Sequence, residues 1–349
     1  MVEHHGVRLF IMEESYQAEK GINEWISGGA GNKATIVNNF RHYVWYTSEV
    51  VDLLEWMLNY NLGKPHQEQI RFYGIDNQMG DVIDKRLRSY IQKHNIVIDE
   101  NLLVAVDSCS KAEFGKVKYK EWSKKMLPKL REVKQVLKQK EPLLMPTDTK
   151  EYTDIMRGLG YLEDYTAYIS WPAAVVRDNA MYENVLKILD IEGPDSKAFI
   201  WAHNEHINKK DLGTAVPNLG SKLKEHFKDG YYAMGFDFGK GKMKGYVFKK
   251  KQAIGSEYRI LDKPYKKTYA ETLFLAKPDI YFVDITKAVK NPEMEKFFST
   301  KMKQLFVGGP GFDPKGTIFF SRKYVETYDG IIFYKKYFTF SSSSINEKQ

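Results

Sequence analysis

The segment Phe199-Ile200-Trp201-Ala202-His203-Asn204-Glu205-His206 sets an apolar run directly ahead of two histidines three residues apart. Residues 198–201 read as a buried strand that delivers His203 and His206 to its C-terminal end. In open α/β sheets ligands bind beyond the carboxyl ends of the strands. Imidazole titrates near neutrality, so either histidine can take or give a proton there.

Two more strands end in ionisable groups. Residues 7–12 are an apolar run followed by Glu13, and residues 71–75 form a short apolar strand followed by Asp76. Helical patterns run to Ile26 ahead of Gly28-Gly29, span 43–60, and dominate 82–191, with interruptions expected at Pro128, Pro142 and Pro146. Later strands are expected at 231–238 and 244–248, flanking a tight turn at Gly239-Lys240-Gly241, and at 279–283, 304–307 and 330–334. Strands alternating with helices predict an α/β fold with a mostly parallel central sheet flanked by helices. The helical stretch is too long for one crossover. It predicts an inserted helical subdomain at 82–191, within a discontinuous sheet domain of 1–81 and 192–340, and a flexible tail at 341–349. No internal repeat is visible.

Composition excludes several classes. With 43% hydrophobic and 14% aromatic residues among 349, the chain has ample material for a core and is not disordered. A single cysteine, Cys109, excludes an internal disulfide framework and a cysteine-based zinc site, and its helical surroundings place it in the core. Much of the net charge of +8 lies in 116–140, where Trp122, Met126, Leu130, Val133 and Val136 or Leu137 recur at helical spacing. That pattern reads as an amphipathic helix with a solvated lysine face, kinked or restarted at Pro128, in preference to a nucleic-acid surface. No apolar run approaches the ~18 residues of a membrane span. With no secretory signal either, the chain is expected to be a cytoplasmic monomer without nucleic-acid or membrane partners.

No G-x-S-x-G elbow supports a serine nucleophile. Gly239-Lys240-Gly241 matches neither a dinucleotide fingerprint nor a P-loop. His203-x-x-His206 lacks a third ligand and the spacing of helical zinc pairs, so neither metal nor cofactor is expected, and a metal-dependent hydrolase ranks third. A carboxylate beside an imidazole prepares a general base, and parallel strands would bring Glu13, Asp76 and His203 to one rim. Each residue alone has an ordinary reading, a strand-end Asp often being a helix cap. Three such ends in one sheet point to a site. Within the polar cluster of Arg177-Asp178, Met181 and Asn184, the residues Arg177, Met181 and Asn184 share one helical face, either solvated or lining a cleft over the sheet.

Taken in order, these pieces resemble the erythromycin esterase family, which includes proteins labelled as succinoglycan biosynthesis proteins. Residues 7–25, with Glu13 and Asn23, look like its glutamate-ended strand and following helix. Trp45-Tyr46-Thr47-Ser48-Glu49-Val50 resembles its W-x-x-x-E-V segment, and Arg71-Phe72-Tyr73-Gly74-Ile75-Asp76 its x-F-Y-G-x-D strand. Arg177-Asp178-x-x-Met181-x-x-Asn184 and Trp201-Ala202-His203-Asn204-x-His206 are similar to its R-D-x-x-M-x-x-N and W-A-H-N-x-H motifs. Leu219-Gly220, the stretch 231–241 and Tyr328-Asp329-Gly330-Ile331-Ile332 follow as in the family.

The resemblance implies hydrolysis of an ester by water, typically a macrolide lactone and hence antibiotic resistance, without a covalent serine intermediate or a required metal. Glu13 and His203 map onto active-site positions with His206 beside them. Asp76, Arg177, Trp45, Glu49 and Asn204 are expected to bind the small-molecule ester. The chief alternative is a weakened or inactive member acting as a small-molecule binding protein. One departure bears on this choice. The family opens with a G-E-x-x-H-G segment whose histidine activates water, and here twelve residues precede Glu13, with His4-His5-Gly6 too close to match. The expectations are a missing beginning, a first strand short of a partner, a tendency to aggregate, and hydrolysis that relies on His203 alone.

Overall fold

The computed structural model describes residues 1–80, 83–113, 119–170, 174–211, 216–249, 252–308, 311–313 and 317–338. The tail expected at 341–349 lies outside them. The chain divides into two compact units, Met1–Trp201 and Ala202–Asn346.

The first unit begins with a short helix, α1 (Val2–His5), closed by Gly6 in the left-handed region at φ 69. Strand β1 (Leu9–Ser15) follows, and Leu9, Phe10, Ile11 and Met12 are all buried. Such a run has no solvent face, which is the mark of a parallel strand covered on both sides. Helix α2 (Ala18–Ile26) buries Ala18, Ile22, Trp25 and Ile26, one stripe of a 3.6-residue period, and Gly28 at φ 88 ends it. Helix α3 (Ser48–Asn61) starts at Thr47, whose hydroxyl accepts from the Val50 N–H. Strand β2 (Arg71–Asp76) then pairs in parallel with β1, Leu9 opposite Arg71.

The helices expected at 82–191 are α4 (Ile83–Lys93), α5 (Glu100–Ser110), α6 (Tyr119–Gln139), α7 (Glu141–Leu144), α8 (Thr149–Ser170) and α9 (Ala174–Glu192). Pro128 does not interrupt the chain as expected. It lies inside α6, whose Leu130, Val133 and Leu137 are fully buried, so packing of that stripe outweighs the one backbone bond proline removes. Pro142 occupies the first turn of α7, where a missing N–H costs nothing, and Pro146 falls between α7 and α8. Cys109 is buried in this helical core, as its pattern predicted.

Strand β3 (Ala198–Trp201) completes a parallel sheet in the order β2-β1-β3. The first strand is therefore central and hydrogen-bonded on both sides, which corrects the expectation that it lacks a partner. The open edge of β2 is closed by side chains. Asn61 pairs with the backbone of Ile70 (2.7 and 2.9 Å), Asn23 with that of Phe72 (both 2.8 Å), and Glu19 accepts from the Gly74 N–H at 3.0 Å. Every second residue of the edge is thus satisfied without another strand.

The second unit holds α10 (Asn204–Ile207), α11 (Leu219–Phe227), β4 (Met234–Lys249), β5 (Gln252–Leu261), α12 (Tyr269–Leu273), β6 (Ile280–Asp284), α13 (Ile285–Ala288), α14 (Pro292–Ser299), β7 (Met302–Phe306), β8 (Ile318–Arg322), α15 (Tyr324–Thr327) and β9 (Gly330–Phe338). One sheet runs β5-β4-β9-β6, with only β4 and β9 parallel, and β7 pairs with β8 antiparallel. Thus, among the described residues, β3 is the one strand beyond 192 that joins the sheet of 1–81. The tight turn expected at Gly239-Lys240-Gly241 is absent, because β4 runs straight through it, Lys240 opposite Lys336 of β9. These glycines make room for neighbours: a Cβ at 239 would stand 2.2 Å from the Phe274 ring, and one at 241 would stand 2.1 Å from the Tyr337 carbonyl oxygen. Among the described residues no helix is long and apolar enough to cross a membrane.

Candidate active site

In the first unit, the parallel pairing of β1 and β2 brings Glu13 and Asp76 to adjacent strand ends. Helix α9 lays Arg177 across them. Its guanidinium donates to both Asp76 oxygens, Nε to Oδ1 and Nη2 to Oδ2 at 2.8 Å each, and Nη2 also reaches Glu13 Oε1 at 2.5 Å. Met181 and Asn184, one and two turns further along α9, are buried with Arg177, and Asn184 donates to the Ile75 carbonyl at 3.3 Å. Of the two readings of that helical face, the structure adopts the one turned toward the sheet. Trp45 joins the group through its indole N–H, which donates to the Glu13 carbonyl at 3.1 Å, and its ring stands edge-on to Trp201.

The charges in this cluster are mutually held. Burial opposes ionisation of Asp76, but Arg177 and His42 outweigh it and hold the carboxyl down at about 2. Arg177 is driven further above its usual range by Asp76 and Glu13, despite its own burial. His42 Nε2 lies 3.0 Å from Asp76 Oδ2, an ion-pair contact at an angle outside hydrogen-bond geometry. Burial works against the imidazolium, yet Asp76 and Glu14 raise its pKa above the ordinary imidazole value. Glu14 anchors the loop that carries His42. Its oxygens accept from the backbone N–H groups of Arg41 and His42 at 3.0 Å each and from that of Ser15 at 2.6 Å.

His42 and Glu14 were not singled out from the sequence. Glu14 is adjacent to Glu13, and its alternation to the other face of β1 was the one signal available. His42 sits in an irregular stretch without periodicity, and its partner Asp76 lies far along the chain. Glu49, expected at the site, is exposed on the first turn of α3, where Ser48 donates to its carboxylate at 3.3 Å.

His203, His206 and Asn204 belong to the second unit. His203 is the N-cap of α10: its Nδ1 accepts from the Glu205 N–H at 3.2 Å, and Nε2 lies 2.8 Å from the Val307 carbonyl oxygen. A nitrogen that accepts carries no proton, so the neutral ring is the Nε2–H tautomer and donates to Val307. His206 is buried, its ring 6.4 Å from that of His203. Asn204 clamps the backbone of Phe236, donating to its carbonyl at 2.6 Å and accepting from its N–H at 3.0 Å. Beneath them Arg322 donates to both oxygens of Glu205 at 2.9 Å. Among the described residues no three His, Cys, Asp or Glu side chains converge in a way that could hold a metal.

The first unit is thus a helix-covered parallel sheet whose strand ends carry a buried carboxylate–guanidinium cluster, an α/β arrangement with its candidate site at the sheet's carboxyl edge. The profile of the erythromycin esterase family matches residues 2–337, and the chain belongs to that family. Three solved structures share the fold. A Bacillus cereus protein superposes with a TM-score of 0.76 at 21% identity, covering 97% of this chain and 82% of that one. A succinoglycan biosynthesis protein gives 0.74 at 20% identity, covering 95% and 80%. A mutant of the erythromycin esterase EreC in its open conformation gives 0.62 at 17% identity, covering 95% and 83%. No curated protein sequence matches the chain. Its family is one of esterases, which makes it hydrolase-like at that coarse level.

Proposed function

We propose that the chain hydrolyses a carboxylic ester or lactone of a small molecule by direct attack of water. The observation that supports this reading is the Glu13–Arg177–Asp76 cluster at the ends of β1 and β2. There a carboxylate with 16% of its side chain exposed is held by a guanidinium that is itself locked on a buried partner. Glu13 orients water, and Arg177 offers preorganised positive charge where a carbonyl oxygen gains negative charge. His203 is a separate candidate in the second unit, where its Nε2–H is held by the Val307 carbonyl and its Nδ1 by the Glu205 N–H. Esterase membership of the family and the EreC likeness make a macrolide lactone the first substrate to try.

Purified protein is assayed on p-nitrophenyl esters and on erythromycin, alongside Glu13→Gln and His203→Ala. Each substitution is expected to lower kcat by ~10²–10⁴, the usual contribution of one acid–base group. Ligand binding without turnover on any ester or lactone would overturn the reading in favour of a binding protein.

A further inference from the structure

We propose that His42 is the general base of this site, with Asp76 holding its Nε2–H and its Nδ1 turned toward the reacting water. The inference rests on the ester-hydrolase reading above and assigns the proton acceptor that reading lacks. His203 already carries its proton on Nε2, and its Nδ1 is taken by a backbone N–H. His42 has the complementary arrangement. Nε2 is buried against Asp76, yet 18% of the side chain is exposed, so the exposure falls on side-chain atoms other than Nε2. Glu14 fixes the His42 backbone N–H, which holds the loop that presents the ring to Asp76. A continuous chain of contacts leads from His42 through Asp76 and Arg177 to Glu13, at 3.0, 2.8 and 2.5 Å. Catalytic hydrogen bonds are often misaligned before substrate binds, which accommodates the angle at Nε2.

In the step assigned, neutral His42 takes a proton from water at Nδ1 while the water oxygen bonds to the ester carbonyl carbon. Collapse of the tetrahedral adduct breaks the bond to the alkoxy oxygen. That oxygen takes the proton back from His42, giving an alcohol and a carboxylic acid. The charged groups facing the ring are Asp76, Glu14 and Arg177, two anions against one cation, so the base is stronger than an ordinary imidazole.

The test combines kinetics with ¹⁵N NMR on the full chain, His42→Gln and Asp76→Asn. The expected result is an Nε2–H tautomer for His42 and a kcat/KM that rises with pH through its titration. His42→Gln should lower kcat by ~10²–10⁴ with KM nearly unchanged, and Asp76→Asn should move the acid limb to lower pH. Unaltered kcat in a folded His42→Gln protein, or an Nδ1–H tautomer in the wild type, overturns the assignment and leaves the hydrolase reading standing. Absence of turnover by the wild type overturns the hydrolase reading, and this assignment with it.

Discussion

Asp76 in the first unit and Asp237 in the second are both buried carboxylates on strands, and their surroundings drive them apart. Asp76 stands where β2 ends, and Arg177 donates to both of its oxygens, so it stays charged with its pKa held down at about 2 despite burial. Asp237 lies inside β4 with the Tyr324 hydroxyl on one oxygen (2.6 Å) and the Phe238 N–H on the other (2.8 Å). There burial dominates and pushes the pKa up to about 6. A phenol and an amide satisfy hydrogen bonds but do not replace the hydration of a charge, whereas a guanidinium does. A strand end can face a helix that delivers a cation onto the carboxylate; in the strand interior the bonded donors are neutral, and the charge of nearby Arg322 does not offset burial.

The most severe way to break this contrast is Arg177→Met, which strands Asp76 and Glu13 without their cation. It should cost about 3–5 kcal/mol of stability at neutral pH, measured by urea unfolding of the first unit. A loss under about 1 kcal/mol would mean that the carboxylates find other relief.

A smaller effect sharpens the second half of the comparison. Because the folded pKa of Asp237 is raised, the native state holds a proton that the unfolded chain has released. Stability should therefore fall as pH rises from about 4 to about 6, by about 3 kcal/mol in all. Asp237→Asn should flatten that slope; an unchanged slope would show that Asp237 is already ionised in the native state.

Asp76 has the opposite sign and the smallest effect. Its depressed pKa gives stability that is complete above about pH 4 and lost as pH falls toward 2, about 2 kcal/mol in all. Melting temperatures of wild type and Asp76→Asn across that window should converge toward its acid end. Parallel curves would refute the pairing.

The comparison also marks what the sequence could reveal. β1, β2 and β3 were legible because each is an apolar run cut off by an ionisable residue, and parallel pairing then assembles Glu13 and Asp76 without further information. Arg177 was legible from helical spacing, although only the fold decided which way its face turns. β5 and β8 were missed; β5 carries charge at Glu257 and Arg259 and has six of its eight residues 254–261 exposed, which blurs the apolar pattern. Gly239 and Gly241 were misread because glycine marks both turns and close approaches, and only Phe274 and Tyr337 distinguish the two. His42 was invisible for a different reason: a loop residue acquires its neighbours from tertiary packing, and no local period announces them.

The central position of β1 has a consequence for synthesis. One of its neighbours, β2, leaves the ribosome soon after it, but Ala198, which pairs with Leu9, follows only after α4–α9 have been made. During translation those helices can settle through local contacts while one side of β1 waits open. Capture of β3 is then a late, long-range step, and on that timetable the sheet that carries the candidate site is among the last parts of the first unit to close.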